Sequence, residues 1–250
     1  MPILQALLAA ALFGISAPIS KALLGDVAPV PLAALLYLGS GIGTWLLMRF
    51  QAPDAEAGLD PADWPWLLGA LLAGGVAAPI VLLFSLSSTP AATASLLLNF
   101  ESIATTLIAV LIFHESIEQR TWVSIILIFC SSVLLSLDIN SEWGFSIGAL
   151  GILLACILWG IDNTLTRNIS SKNPLSIVMV KGLGAGSISL VLTFLLKQPL
   201  PHLEPMIGAL FLGAISYGVG ITIYIHALRG LGAARTGALY STAPFIGMLV

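Results

Sequence analysis

Apolar residues occur along this chain in long runs, and polar residues are concentrated in the short connections between those runs. A helix needs about 20 mainly apolar residues to span a bilayer. The connections hold most of the charges and prolines, as turns do. The pattern therefore predicts nine membrane-spanning helices, at 3–24, 31–49, 64–86, 91–113, 119–138, 147–169, 175–197, 205–228 and 233–250.

The amino-acid composition excludes the main classes of soluble protein. Only 8% of the 250 residues are charged, whereas soluble domains carry about 25%. So few charges cannot cover a water-facing surface, which excludes a soluble enzyme, a disordered chain and a nucleic-acid-binding protein. The net charge of −3 is too small to indicate a polyanionic partner. The sequence thus predicts an all-α polytopic membrane protein that does not bind nucleic acid.

The two halves of the sequence resemble each other in the same order, which indicates an internal duplication. The matched segments are 11–21 with 156–167 (shift 146), 38–41 with 183–186 (shift 145), and 84–102 with 226–244 (shift 142). We therefore predict two units, 1–139 with five helices and 140–250 with four. The counterpart of Glu115 falls beyond Val250, so a tenth helix is expected to be missing from the second unit.

An odd number of helices per unit places the two copies in opposite orientations, as in inverted-repeat transporters. Cytoplasmic loops carry an excess of Lys and Arg. A cytoplasmic N-terminus places six basic residues on the inner flanks and only two, Lys21 and Lys197, on the outer flanks. The six are Arg49, Arg120, Arg167, Lys172, Arg229 and Arg235. We expect an integral protein of the bacterial inner (cell) membrane with this orientation.

The halves resemble the two EamA domains of the drug/metabolite transporter superfamily. The resemblance lies in LFGIS and LWGID of helices one and six, in the small-residue run 90–115 with its copy at 232–250, and in the His114-Glu115 pair. It covers nearly the whole chain and implies ten helices in two inverted five-helix units, with the substrate path between them. It also implies export or exchange of small metabolites, amino acids among them. The early basic residue of helix two is missing here, while its counterpart Lys181 is kept.

Three ionisable residues lie deep within predicted helices, where a charge costs roughly 2.5–3.5 kcal/mol on insertion scales. They are Glu101, Asp162 and Lys181. The last two lie at similar depth on antiparallel helices, so they can form an ion pair, either structural or substrate-contacting. Glu101 is expected near the centre of helix four, where desolvation favours the neutral acid. It is a candidate proton carrier, the alternative being a structural hydrogen-bonded acid.

Polar and aromatic residues of helices six, eight and nine are candidates for a substrate cavity, because small-ligand pockets combine ring faces with a few polar groups. They are Trp159, Asn163, Tyr217, Tyr224 and Tyr240. Packing and interfacial anchoring are the alternative for each residue. The Gly-rich stretches 39–43 and 182–186 are expected to be close-packing helix faces rather than nucleotide loops.

These features favour a secondary active transporter that works by alternating access. A membrane-embedded enzyme and a non-transporting scaffold are the alternatives. No nucleophile–base pair, aspartate pair or metal cluster is evident at one depth, so we expect no enzymatic activity, no metal and no cofactor. The expected partners are a small-molecule substrate, the lipid bilayer and protons as the candidate coupling ion. Substrate, coupling ion, direction and oligomeric state stay open.

Overall fold

A computed structural model describes residues 1–50, 56–113, 119–136 and 146–249. His114, Glu115 and Val250 lie outside the described residues. Within the described ranges the chain is helical and contains no strand, as the hydropathy pattern predicts. Seven stretches are long and apolar enough to cross a membrane.

The first half of the described chain folds into five helices, two of which are interrupted. Helix α1 is interrupted at Ile15, and α4 is broken at Leu98–Asn99. The bounds are α1 Pro2–Leu23, α2 Pro29–Met48, α3 Pro61–Ser88, α4 Ala91–Leu97 with Phe100–Phe113, and α5 Gln119–Ser136.

The second half contains four described helices, and the last of them is also interrupted. The break in α9 falls at Ser241–Thr242, just before the segment Ala243–Leu249. Pro244 is the second residue of that segment, and proline is favoured in the first turn of a helix. The bounds are α6 Ile147–Asn168, α7 Pro174–Leu195, α8 Leu203–Leu231, and α9 Ala233–Tyr240 with Ala243–Leu249.

Two π-helical segments occupy equivalent positions in the two halves. Leu71–Ala77 lies within α3, and Gly213–Val219 lies within α8. They are separated by 142 residues, which is the shift that the sequence comparison finds for this part of the chain. A π segment moves backbone hydrogen bonds from i+4 to i+5 partners and is often found at functional sites. The two halves therefore resemble each other in backbone detail as well as in sequence.

The two halves meet where α2 crosses α7, through backbone surfaces made of small residues. A methyl group added to Gly182 would overlap the backbone of Gly41, and one added to Gly41 would overlap Leu183. Close approach of this kind is the usual role of glycine in membrane helices. The prediction that 39–43 and 182–186 are packing faces is therefore confirmed.

The outer surface is apolar around the bundle. Large aliphatic and aromatic side chains are exposed on each of the nine helices, for example Leu4, Ile42, Leu111, Ile126 and Phe211. Soluble monomers rarely expose continuous apolar surface of this extent. The ionisable side chains of the described helices are instead found inside the bundle or near helix ends. The chain is an integral membrane protein with lipid-facing sides.

Candidate functional site

A small cavity lies at the centre of the bundle, among mostly buried side chains. Its wall includes all eight residues singled out in the sequence, Glu101, Trp159, Asp162, Asn163, Lys181, Tyr217, Tyr224 and Tyr240. These residues come from five different helices, so the fold brings together positions up to 139 residues apart. The structure also adds Phe13, Tyr37, Thr166, Ile221 and Ile225.

Asp162 and Lys181 form a buried ion pair in the wall of the cavity. The Lys181 ammonium donates to Asp162 Oδ1, and the side chains of Asp162 and Lys181 are only 9% and 5% exposed. Thr166 Oγ lies 3.2 Å from Lys181 Nζ and donates to the same carboxylate at 2.8 Å. The ion pair expected from the similar depth of Asp162 and Lys181 in the membrane is therefore confirmed. Burying either charge alone would be costly, so the pair and Thr166 hold each other in place.

Glu101 lies near the middle of α4, as expected, but the helix is not continuous there. The backbone of α4 breaks at Leu98–Asn99, so Glu101 lies in the first turn of the segment Phe100–Phe113. Asparagine side chains compete with helical hydrogen bonds, which favours a break at Asn99. The carbonyls of Leu97 and Leu98 lie 3.8 Å from the Cys156 thiol.

The polar partner of the Glu101 carboxyl comes from a neighbouring helix. The backbone N–H of Glu101 itself donates to the Leu98 carbonyl at 3.1 Å, so it stays paired across the α4 break. Asn163 Nδ2 donates to Glu101 Oε1 at 2.8 Å and to Thr105 Oγ at 3.2 Å. Glu101 is 8% exposed, so this contact is inside the protein. A residue of the second half thus holds the buried acid of the first half.

The carbonyl of Gly74 marks another junction between the two halves. It accepts hydrogen bonds from Tyr37 Oη at 2.6 Å and from Trp159 Nε1 at 3.1 Å. Gly74 lies in the π segment of α3. A methyl group at this position would overlap the carboxylate of Asp162. Glycine is therefore required here, because the backbone approaches the ion pair closely.

Aromatic rings form the rest of the wall. The ring centroid of Phe13 lies 5.6 Å from that of Trp159 and 5.5 Å from those of Tyr217 and Tyr240. Tyr37 packs on Tyr217 at 5.3 Å, and Tyr224 packs on Tyr240 at 4.7 Å. Tilted and edge-to-face contacts at these distances are favourable for aromatic pairs. They connect helices of both halves around the cavity.

Sequence reasoning missed Phe13 and Tyr37 as cavity residues, although a signal for Phe13 was present. The shift of 146 that relates helices one and six pairs Phe13 with Trp159. An aromatic residue at the same place in both copies indicates a shared position at the interface of the units. Tyr37 directly precedes the matched segment 38–41, and only the packing of α2 on α7 reveals its contact with the cavity.

Salt bridges join the two halves at one end of the bundle. Lys172 pairs with Asp60 and, at 3.4 Å, with Asp63, while Arg229 Nη2 lies 2.8 Å from Glu56 Oε2. The hydrogen bond to Asp60 raises the pKa of Lys172. Exposed pairs of this type are individually weak, yet together they connect the loop before α3 to the second half.

Arg229 also makes hydrogen bonds within the second half at the same end of the bundle. Its side chain donates to the carbonyls of Ser170 and Lys172 at 2.7 and 2.8 Å. These contacts link the C-terminal end of α8 to the loop between α6 and α7. Lys172 and Arg229 are therefore held next to each other although both are cationic.

The remaining histidine, cysteine and acidic residues are dispersed. Within 1–50, 56–113, 119–136 and 146–249, no three of them are placed to hold a metal ion. Cys156 is buried at the α4 break, whereas Cys130 is exposed on α5.

Comparison with known proteins identifies similar sequences and a similar fold. The EamA-like transporter family matches residues 1–137 and again 146–250. An "Uncharacterized transporter" from Methanothermobacter thermautotrophicus (strain Delta H) is 29% identical over 259 aligned residues, covering 95% of this chain and 74% of that protein. A solved structure described as "Crystal structure of protein" superposes with a TM-score of 0.76 at 17% identity, covering 99% of this chain and 85% of that chain. At that identity the likeness shows the fold alone.

Proposed function

The chain belongs to the EamA-like transporter family, and we propose that it is a secondary active transporter that exports or exchanges small metabolites, such as amino acids. The transport mechanism would be alternating access between inverted units 1–139 and 140–250. One observation carries this proposal: the central cavity is built from both halves, with Glu101 on one side and Asn163 on the other. A site at the interface of two repeats can open to either face when the repeats rock against each other.

The salt bridges of Lys172 and Arg229 hold the two halves together at one end of the bundle, so the proposed transporter is closed on that side. With the proposed cytoplasmic N-terminus, Lys172, Arg229 and their acidic partners lie at the inner face. They connect the inner loop of the first unit to the second unit. Opening to the cytoplasm would separate these charges, which become hydrated once apart. Exposed salt bridges suit a gate because each is weak and can break and form again.

Protons are the proposed coupling ion, with Glu101 as the carrier. Its carboxyl is buried, borders the cavity and can exist as a neutral acid or as an anion held by Asn163. The other titratable groups of the cavity are Tyr37, Asp162, Lys181, Tyr217, Tyr224 and Tyr240, and Cys156 lies behind the α4 break. Asp162 and Lys181 neutralise each other, and tyrosine and cysteine ionise well above neutral pH when unperturbed. Glu101 is thus the group best suited to exchange a proton.

Proton-linked transport can be tested in everted membrane vesicles that carry the full chain. The vesicles are acidified by respiration, and proton release is followed with a pH-sensitive dye while standard amino acids and small organic amines are added one at a time. A substrate of a proton antiporter should release protons in vesicles with the protein and not in vesicles without it. If no compound of the panel releases protons and none is exchanged in proteoliposomes, the proposed function is wrong.

A further inference from the structure

The charges that line the central cavity do not balance. Asp162 and Lys181 form a neutral pair, and Thr166 completes its hydrogen bonding. Glu101 contacts the neutral amide of Asn163 and has no cation beside it among the described residues. An ionised Glu101 therefore leaves the cavity with one uncompensated negative charge. In a membrane interior such a charge is costly unless a counter-ion is supplied.

The rest of the wall suits a positively charged organic group. Six aromatic side chains line the cavity, namely Phe13, Tyr37, Trp159, Tyr217, Tyr224 and Tyr240. Aromatic faces attract Lys-like and quaternary ammonium groups placed within about 6 Å of the ring. The rings contact one another at centroid distances of 4.7–5.6 Å, so a small cation beside this cluster would lie near more than one ring. The same surface would accommodate an apolar substituent on that cation.

Tyr224 provides an independent indication of a ligand. Its side chain is 5% exposed and lines the cavity, and within the described part of the chain its hydroxyl has no hydrogen-bond partner. A buried hydroxyl without a partner is unfavourable, because it has lost its hydrogen bonds to water and gained none in return. A ligand with an N–H group would satisfy it by donating to Tyr224 Oη.

We infer that the cavity recognises a small organic monocation through its ammonium group, with Glu101 as the counter-ion, Tyr224 as a hydrogen-bond acceptor and the aromatic rings around the hydrocarbon part. This inference rests on the proposed function and narrows its substrate class. A zwitterionic amino acid fits less well, because its carboxylate would need Lys181, which Asp162 and Thr166 already engage. An anion would face Glu101 without compensation.

The inference is tested by calorimetric binding to the purified full chain in detergent, using three ligands with a similar skeleton and different charges. These are 2-phenylethylamine as the cation, phenylalanine as the zwitterion and 3-phenylpropionate as the anion, at neutral pH. The cation should bind at least about tenfold more tightly than phenylalanine, and the anion should not compete with it. Equal or tighter binding of phenylalanine or 3-phenylpropionate, or binding of none of the three, would overturn the inference.

Matched variants measure how much each side chain contributes to phenylethylamine binding. Glu101→Gln should weaken phenylethylamine binding about tenfold or more, whereas Glu204→Gln, an exposed carboxylate at the start of α8, should leave it unchanged. Tyr240→Leu removes the ring and should weaken binding about tenfold, as expected for a desolvated cation–π contact. Tyr240→Phe, which keeps a ring, should bind more tightly than Tyr240→Leu. Unchanged binding in Glu101→Gln that elutes as a monodisperse protein would contradict the cation site.

The binding assay and the vesicle assay fail independently. If phenylethylamine binds but neither it nor any other compound is transported, the cation site stands and the transporter proposal falls. If amino acids or anions are transported with proton release while the cation does not bind, the transporter proposal stands and the cation site falls.

Discussion

The side-chain amide of Asn163 donates a 2.8 Å hydrogen bond to the carboxyl of Glu101 and thereby connects α6 to α4 inside the bundle. Asn163 follows directly after Asp162, which belongs to the ion pair with Lys181. One turn of α6 thus serves both polar networks of the cavity. The two networks differ in charge balance, since the ion pair is neutral and an ionised Glu101 is not. This difference is the physical basis for proposing a structural role for one and a proton-carrying role for the other.

The ion pair leads to a prediction about single and double variants. Asp162→Asn or Lys181→Met alone leaves a buried charge without its partner, and such losses destabilise by roughly 3–5 kcal/mol. The double variant Asp162→Asn/Lys181→Met removes both charges and should unfold at a higher temperature than either single variant. Thermal unfolding of the purified proteins in one detergent measures this. The pair contributes nothing if both single variants unfold like the unmodified chain and the double variant gains nothing.

Gly74 leads to a second prediction. A methyl group at this position would overlap the carboxylate of Asp162, so Gly74→Ala forces the ion pair or α3 to move. Overpacking of this kind costs roughly 1–3 kcal/mol, and the unfolding temperature should fall accordingly. Gly58→Ala is the matched control, because a methyl group at Gly58 has no atom within 4 Å. An equal, small effect of the two substitutions would show that the close approach at Gly74 does not matter.

The orientation in the membrane is a third prediction. With a cytoplasmic N-terminus, Gly58 in the α2–α3 loop lies inside and Pro199 in the α7–α8 loop lies outside. Single cysteines at these exposed positions, in a chain with Cys130→Ser and Cys156→Ala, should react differently with an impermeant thiol reagent in intact cells. Pro199→Cys should be labelled, and Gly58→Cys should be labelled only after the cells are opened. Labelling of Gly58→Cys in intact cells would reverse the orientation.

The hydropathy pattern predicted the helices. The polar and aromatic residues within the apolar runs predicted much of the cavity wall. The helix spans were predictable because an apolar run of about 20 residues has few alternatives in a bilayer. The contact between Asp162 and Lys181 was predictable because rise per residue converts sequence position into depth. The cavity residues of α6, α8 and α9 stood out as polar or aromatic groups in otherwise apolar helices.

Apart from Glu101, the first-half residues of the cavity wall could not be predicted in the same way, and neither could the backbone irregularities. The α4 break and the π segments change the backbone hydrogen bonding within apolar runs, and hydropathy does not respond to that. Leu97-Leu98-Asn99-Phe100 contains no proline or glycine, so no strong helix breaker marks the new helix start beside Glu101. Tyr37 lines the cavity only because α2 packs on α7, which is a tertiary contact.

The proposed role of Glu101 is the central claim, and substrate-driven proton release in everted vesicles tests it most directly. Glu101→Gln keeps the size of the side chain and its ability to contact Asn163, but it cannot bind and release a proton. With the compound that gives the largest signal for the unmodified chain, Glu101→Gln should give none, although the variant reaches the membrane in the same amount and elutes as a monodisperse protein. Proton release by Glu101→Gln at the rate of the unmodified chain would contradict the proton-carrier role and leave Glu101 as a structural residue.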